Sequence, residues 1–214
     1  MTLHFYSPAA YRFVRNKFCL ALPSPRTLSG WYSSVNAEPG YIGESFEVLC
    51  AIVVVESEKG ESVSGCLIID DMSIKSHLSA DSDNLPLAKE ACVLMLVLMK
   101  KHFKIPLSYF LISFFPSSER AALERASLCK LYDIGVVCAS TFDGTYSTVS
   151  MGEQLVAKLL VEDPVTHFNH PRDSSKKTCV VLDACHMVKL IRNCLGEKVL
   201  QNKNGSIIDW NFVE

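Results

Sequence analysis

A chain of 214 residues, 49% of them hydrophobic, is long enough to bury one substantial core plus a small appendage. Its formal net charge of −2 excludes a global basic field, so any hold on a polyanion must come from local patches. Nine cysteines scattered without paired spacing argue against a disulfide framework and for a reducing compartment, and no segment predicts a signal peptide or a membrane span.

Ser7-Pro8 reads as an N-cap followed by proline at the first helical position. Tyr11, Phe13, Val14, Phe18 and Leu20 form an approximate apolar stripe, with Arg12, Arg15 and Lys17 on the solvated side. Pro23 ends that helix, and Ser24-Pro25 repeats the start signal for a second helix through Val35. Two such helices fit a helix-turn-helix, or a plain helical hairpin with solvated arginines. Arg26, Thr27 and Ser29 are what the second helix could offer to a groove.

Residues 36–40 are a linker of turn residues, and 44–58 predict a helix closed by Gly60. A first strand over 63–70 follows, then a polar connection over 76–89 without periodicity. The apolar runs 91–99 and 107–114 fit a helix plus a strand as well as two strands, because unbroken runs do not discriminate. Ser117 is expected to cap a helix reaching about Tyr132, with Glu119 and Arg120 in its first turn. A strand over 135–141, a helix over 147–160, a strand over 179–182 and a helix over 183–195 complete the order. On the last helix His186, Lys189 and Asn193 share a face opposite Met187, Val188, Leu190, Ile191 and Cys194. That polar face reads as a phosphate contact, as support for a metal site, or as a solvated surface with His186 packed locally. His167, His170, Cys179 and Cys185 fit the spacing of no common zinc finger.

Two of the strands end in aspartate: Val63-Ser-Gly-Cys-Leu-Ile-Ile-Asp70 and Gly135-Val-Val-Cys-Ala-Ser-Thr-Phe-Asp143. Either aspartate could simply start a turn. If the strands are parallel neighbours, about 4.8 Å apart, the two carboxylates can share a divalent cation.

Four stretches resemble, in order, the P-element-type DNA transposases, which include the THAP-domain transposases. Leu67-Ile-Ile-Asp-Asp-Met-Ser-Ile-Lys75 resembles their first-aspartate motif, and Thr141-Phe-Asp-Gly-Thr-Tyr-Ser-Thr-Val-Ser-Met151 their second-aspartate segment. Val181-Leu-Asp-Ala-Cys-His-Met-Val-Lys-Leu-Ile-Arg-Asn193 is similar to an Asp-x-x-His-x-x-Lys-x-x-Arg-Asn block. Ser7-Pro-Ala-Ala-Tyr with Leu22-Pro-Ser-Pro-Arg-Thr-Leu-Ser-Gly-Trp31 resembles the family's helix-turn-helix. Two departures are a threonine at 148 where asparagine is common and a short connection between Lys75 and Ala91.

The resemblance implies an α/β fold: an RNase H-like mixed five-stranded sheet with flanking helices, ordered β-β-β-α-β-α-β, behind a small helix-turn-helix. It favours the hairpin of two strands at 91–114. It divides the chain into a helix-turn-helix (1–35), a linker and connecting helix (36–60), an incomplete RNase H-like core (61–196) and the start of a truncated insertion (197–214). It makes Asp70 and Asp143 the first two members of an Asp-Asp-Glu set holding Mg²⁺, with Asp71 a neighbour outside the ligand set and the glutamate absent from this chain. Glu153 and Glu162 come too early to replace it. Asp183, His186, Lys189 and Asn193 are supporting candidates, and Arg12, Arg15, Lys17 and Arg26 the candidate DNA contacts. The family's GTP site is not expected here. The implied function is DNA strand cutting and joining in the nucleus, with DNA as partner, self-association open and no membrane. The alternative is a non-catalytic, domesticated DNA-binding or regulatory remnant.

Overall fold

The computed structural model describes residues 7–32, 38–74, 88–159, 162–198 and 200–208. It divides into a small unit over 1–38 and a larger one over 39–214.

In the first unit, α1 (Pro8–Lys17) starts as expected: the Ser7 hydroxyl accepts the Ala10 N–H, and Pro8 needs no donor there. It stops well before Pro23, because Cys19 and Leu20 take positive φ (50° and 64°) and turn the chain. Helix α2 (Pro25–Tyr32) begins where Ser24 Oγ accepts the Thr27 N–H at 3.0 Å. Its expected extension to Val35 lies outside the described residues. The stripe is corrected. Tyr11 and Leu28 are buried, whereas Phe13, Phe18 and Leu20 are exposed. Two short helices have room for few inward side chains.

The larger unit is built on a seven-stranded sheet ordered β1-β4-β3-β2-β5-β7-β6. The strands are β1 (Gly40–Tyr41), β2 (Val63–Ser73), β3 (Glu90–Leu98), β4 (Lys104–Ile112), β5 (Val136–Phe142), β6 (His167–Asn169) and β7 (Lys177–Leu182). The central five follow the expected order, with β2, β3 and β4 antiparallel and β5 and β7 parallel to their inner neighbours. The five-stranded expectation falls short by β1 and β6, whose two and three residues carry no readable periodicity.

Alternation along the strands sorts the two faces. Val63, Leu67 and Ile69 of β2 and Val136, Cys138 and Phe142 of β5 point into the core. Leu49 of α3 (Gly43–Glu58) and Ala121, Leu128 and Leu131 of α4 (Ser117–Asp133) join them. Each fully buried leucine stabilises the fold by about 1.5–3 kcal/mol. Gly65 is required on β2, since a Cβ there would lie 2.8 Å from a Leu96 side-chain carbon and 2.9 Å from the Val97 carbonyl. Pro106 is tolerated in β4 because the register slips beside it, between Leu94 and Met95 of β3.

Three element ends differ from expectation. Ser117 is inside α4 and donates to the Ser147 carbonyl, and Pro116 takes the cap position. Helix α5 (Tyr146–Gln154) ends six residues short of 160, where Val156 adopts φ 71° and Arg125 Nη2 donates to the Gln154 carbonyl. Strand β2 runs three residues past Asp70, because β3 continues to pair with it as far as Ser73. Helix α6 (Ala184–Glu197) and a small hairpin, β8 (Leu200–Gln201) with β9 (Ile207–Ile208), finish the described chain.

Candidate metal and active site

The parallel pairing of β2 with β5 aligns Ile68 with Thr141 as its last couple. Asp70 lies two residues further along β2, and Asp143 two residues further on, just past the end of β5; alternation turns both to the face opposite the core. They line one cleft of about 370 Å³ together with Asp183 and His186. Asp70 is therefore at the end of the parallel pairing, though not of its strand.

The two carboxylates differ in how they are held. Asp143 Oδ1 is within hydrogen-bond reach of the Thr145 hydroxyl (2.8 Å), the Thr148 hydroxyl (2.7 Å) and the Thr145 N–H (3.3 Å). Burial pushes the Asp143 carboxyl up, but these hydrogen bonds outweigh it and hold it below its ordinary value. Asp70 Oδ1 accepts the Asp71 N–H at 2.9 Å. Burial raises its carboxyl above the ordinary value, and the Asp143 and Asp71 charges push the same way. One carboxylate is fixed and ionised early, while the other responds to whatever charge enters the cleft.

His186 approaches from α6. Asp183 caps that helix, its Oδ1 accepting the Cys185 N–H at 2.8 Å and the His186 N–H at 3.3 Å. This places His186 Nε2 3.8 Å from Asp143 Oδ2, beyond hydrogen-bond reach. The nitrogen is buried and has no hydrogen-bond partner. Gly144 permits the approach of α6, for a Cβ there would meet Met187 Sδ at 2.6 Å. Lys189 and Asn193 are not among the residues lining the cleft, and the Asn193 side-chain oxygen instead accepts from Arg192.

Asp71 goes to the other face. Its Oδ2 meets Arg120 Nη2 at 2.6 Å, and Arg120 is itself buried, donating from Nε to the Phe115 carbonyl. Asp71 therefore supports Asp70 through its N–H while its own carboxylate is paired with Arg120 rather than solvated. Glu153 and Glu162 are exposed, and neither lines the cleft. The hydroxyls of Thr145 and Thr148 join the site without having been expected from the sequence, although Asp-Gly-Thr after a strand is a recognisable side-chain turn pattern.

Asp70 and Asp143 are two hard carboxylate donors at one rim, the kind of oxygen a divalent cation takes, with the His186 imidazole in ion-pair range of Asp143. As they lie, no three His, Cys, Asp or Glu side chains among the described residues converge tightly enough to hold an ion.

In the first unit Arg15 Nε donates to the Leu22 carbonyl at 2.9 Å, staples the turn and leaves part of its guanidinium outward. Arg12 Nε donates back to the Pro8 carbonyl, Lys17 lies over the Phe13 ring at 5.5 Å, and Arg26 is exposed on α2.

Three family models match consecutive parts of the chain. They are the transposable element P transposase-like HTH domain (1–31), the TNP-like RNase H N-terminal domain (78–156) and the TNP-like GTP-binding insertion domain (185–214). Human DNA transposase THAP9 is 32% identical over 99% of this chain. This chain is a homologue of the P-element-type transposases. The transposable element P transposase of Drosophila melanogaster is 27% identical over 89% of it. The chain spans about a quarter of the length of these two relatives, 25% and 24% respectively. The Drosophila P element transposase strand transfer complex shares the fold at a TM-score of 0.66 and 23% identity, covering 97% of this chain and 45% of that one. Asp143 lies within the RNase H match, and Asp70 is eight residues ahead of it.

Proposed function

We propose that this chain is the DNA-handling helix-turn-helix and the first part of the catalytic core of a P-element-type transposase acting on DNA in the nucleus. The observation that carries the reading is the shared cleft of Asp70 and Asp143, just beyond the last couple of the parallel pairing of β2 with β5.

Asp70 and Asp143 would hold the ion, with Mg²⁺ the expected one for all-oxygen ligation. When bound, such an ion would activate a water or 3′-hydroxyl and stabilise a leaving oxygen. The chain's own contribution is orientation. Thr145 and Thr148 fix one Asp143 oxygen and leave the other facing the cleft. One Asp183 oxygen is engaged in capping α6, which leaves only the other to stand in for the family's glutamate. Among the described residues no other carboxylate lines the cleft, which favours DNA binding without strand cutting by this chain alone. That is also the observation behind the second reading, a DNA-binding remnant without catalysis.

Incubating the full chain with labelled duplex DNA in Mg²⁺ or Mn²⁺ tests both halves. The expected result is salt-sensitive binding without cleavage. Cleavage that vanishes in Asp143→Ala would show that the set is complete, and no binding at low salt would remove the DNA-handling role.

A further inference from the structure

We infer that Phe114 and Tyr146 form a stacking platform for unpaired nucleobases beside the cleft, so that the DNA strand engaged there is single-stranded. The inference rests on the reading of the cleft as a DNA-handling site and adds the form of DNA that it takes.

Strand register brings both rings to the end of the sheet that holds Asp70 and Asp143. Strand β4 ends at Ile112, which pairs with Glu90 of β3, and Glu90 pairs with Ser73 of β2, just past Asp70. Phe114 follows on the loop into α4, and Tyr146 opens α5 shortly after Asp143. The two segments are joined, since Ser117 Oγ donates to the Ser147 carbonyl at 3.3 Å. Tyr146 is also tied to the cleft, because the hydroxyl of the preceding Thr145 holds Asp143 Oδ1 at 2.8 Å.

Both rings stand out in solvent. Tyr146 is 90% and Phe114 82% exposed, the highest values among the described large hydrophobic side chains that are exposed at all. The adjacent Phe115 instead packs inward, its ring centre 4.9 Å from the Arg120 guanidinium. An aromatic ring carries a large apolar area, and here the fold leaves that area unused on backbone held by side-chain bonds. A nucleobase suits it, because every base has a π-face and stacking tolerates any sequence. A duplex hides those faces except at its ends, so such a platform selects unpaired bases. The charges at this end of the sheet, exposed Lys89 against exposed Glu90 and Glu119, leave no basic excess. Stacking rather than counter-ion release therefore carries the contact.

Fluorescence anisotropy of the full chain with a single-stranded oligonucleotide and with a blunt duplex of the same length tests this. The double variant Phe114→Ala, Tyr146→Ala should weaken single-strand binding by about fivefold or more, with duplex binding and the salt slope unchanged. Replacing both rings by tryptophan should restore the lost affinity. A 2-aminopurine base in the single strand should be quenched by the unmodified chain and released by the alanine variant. Rings this exposed can be removed without unfolding the sheet, and an unchanged thermal midpoint checks that. Equal losses on both DNA forms, or 2-aminopurine emission indifferent to the variant, would overturn the platform and leave the DNA-handling reading standing. A variant that binds both DNA forms normally but changes the oligomeric state in light scattering would assign the rings to a protein contact instead. No binding of either DNA by the unmodified chain would overturn both readings.

Discussion

Thr148 stands where the resembled motif usually has asparagine, and its hydroxyl still orients the carboxylate, reaching Asp143 Oδ1 at 2.7 Å from a buried position. Thr148→Val keeps the shape and removes the donor. It should cost about 1 kcal/mol and raise the Asp143 carboxyl toward its ordinary value, as read by NMR titration. The sign follows from linkage. A carboxyl depressed in the folded state contributes stability above its unfolded value and loses it as pH falls through the folded one. The variant should therefore show a smaller acid-induced loss of stability than the parent. Glu124 has the opposite sign. It is fully buried against Ser140, and burial pushes its carboxyl up to about 7 from an ordinary 4.5. Its contribution to folding is greatest below about pH 4.5 and disappears as pH rises to about 7, a swing of roughly 3 kcal/mol. Glu124→Gln should flatten that part of the stability profile in urea titrations at several pH values, and an unchanged slope would remove Glu124 as its source.

At the scale of elements, the joints between strands and helices hold the cleft in register. Arg120 of α4 ties that helix to the end of β2 through Asp71, directly behind Asp70. Breaking one partner of a buried pair costs about 3–5 kcal/mol, and Asp71 retains some solvent, so Arg120→Ala should cost near the lower end, about 3 kcal/mol. The loss should appear as a lower urea midpoint with an unchanged m-value. Gly65→Val tests the β2–β3 contact. The Val97 carbonyl cannot move aside as a side-chain tip can, and overpacking there should destabilise by about 1–3 kcal/mol or more. Helix α6 is different: none of its residues is buried, and Val188 and Ile191 are largely exposed. Its capping by Asp183 and the contact of Met187 with Gly144 are what the described structure provides to hold His186 in place.

For the whole molecule, the division into 1–38 and 39–214 predicts that removing the first 38 residues leaves the sheet unit folded, with its own cooperative thermal transition. If the first unit carries the DNA contacts, the shortened chain should lose DNA binding in fluorescence anisotropy. The intact chain should show a log-log salt slope of about −3 to −4, from a few phosphate contacts at roughly −0.9 each. Equal binding by both chains would make the helices a structural appendage. On the face opposite the core, Val137 of β5 and Val181 of β7 remain about half exposed between buried alternate residues.

Much of the framework was legible in the sequence because it rests on local rules. Ser7-Pro8 set the first helix start, Gly60 closed α3 at a positive φ of 75°, and the apolar runs ending at Asp70 and Asp143 marked the two strands that matter. The motif order then gave the topology of the central five strands. Other features depend on residues far apart in the chain meeting in space. The short edge strands β1 and β6 exist because β4 and β7 offer them unpaired backbone. Asp70 and Asp143 became a pair only through the parallel register of β2 and β5, and that same alternation sent Asp71 to Arg120 on the opposite face. His186 was one of three equivalent polar positions on a helix until the cap at Asp183 and the missing side chain at Gly144 aimed it, rather than Lys189 or Asn193, at Asp143. Hydrophobic period and turn chemistry are written residue by residue, whereas which side chains share a cleft is decided by register and packing across the sheet.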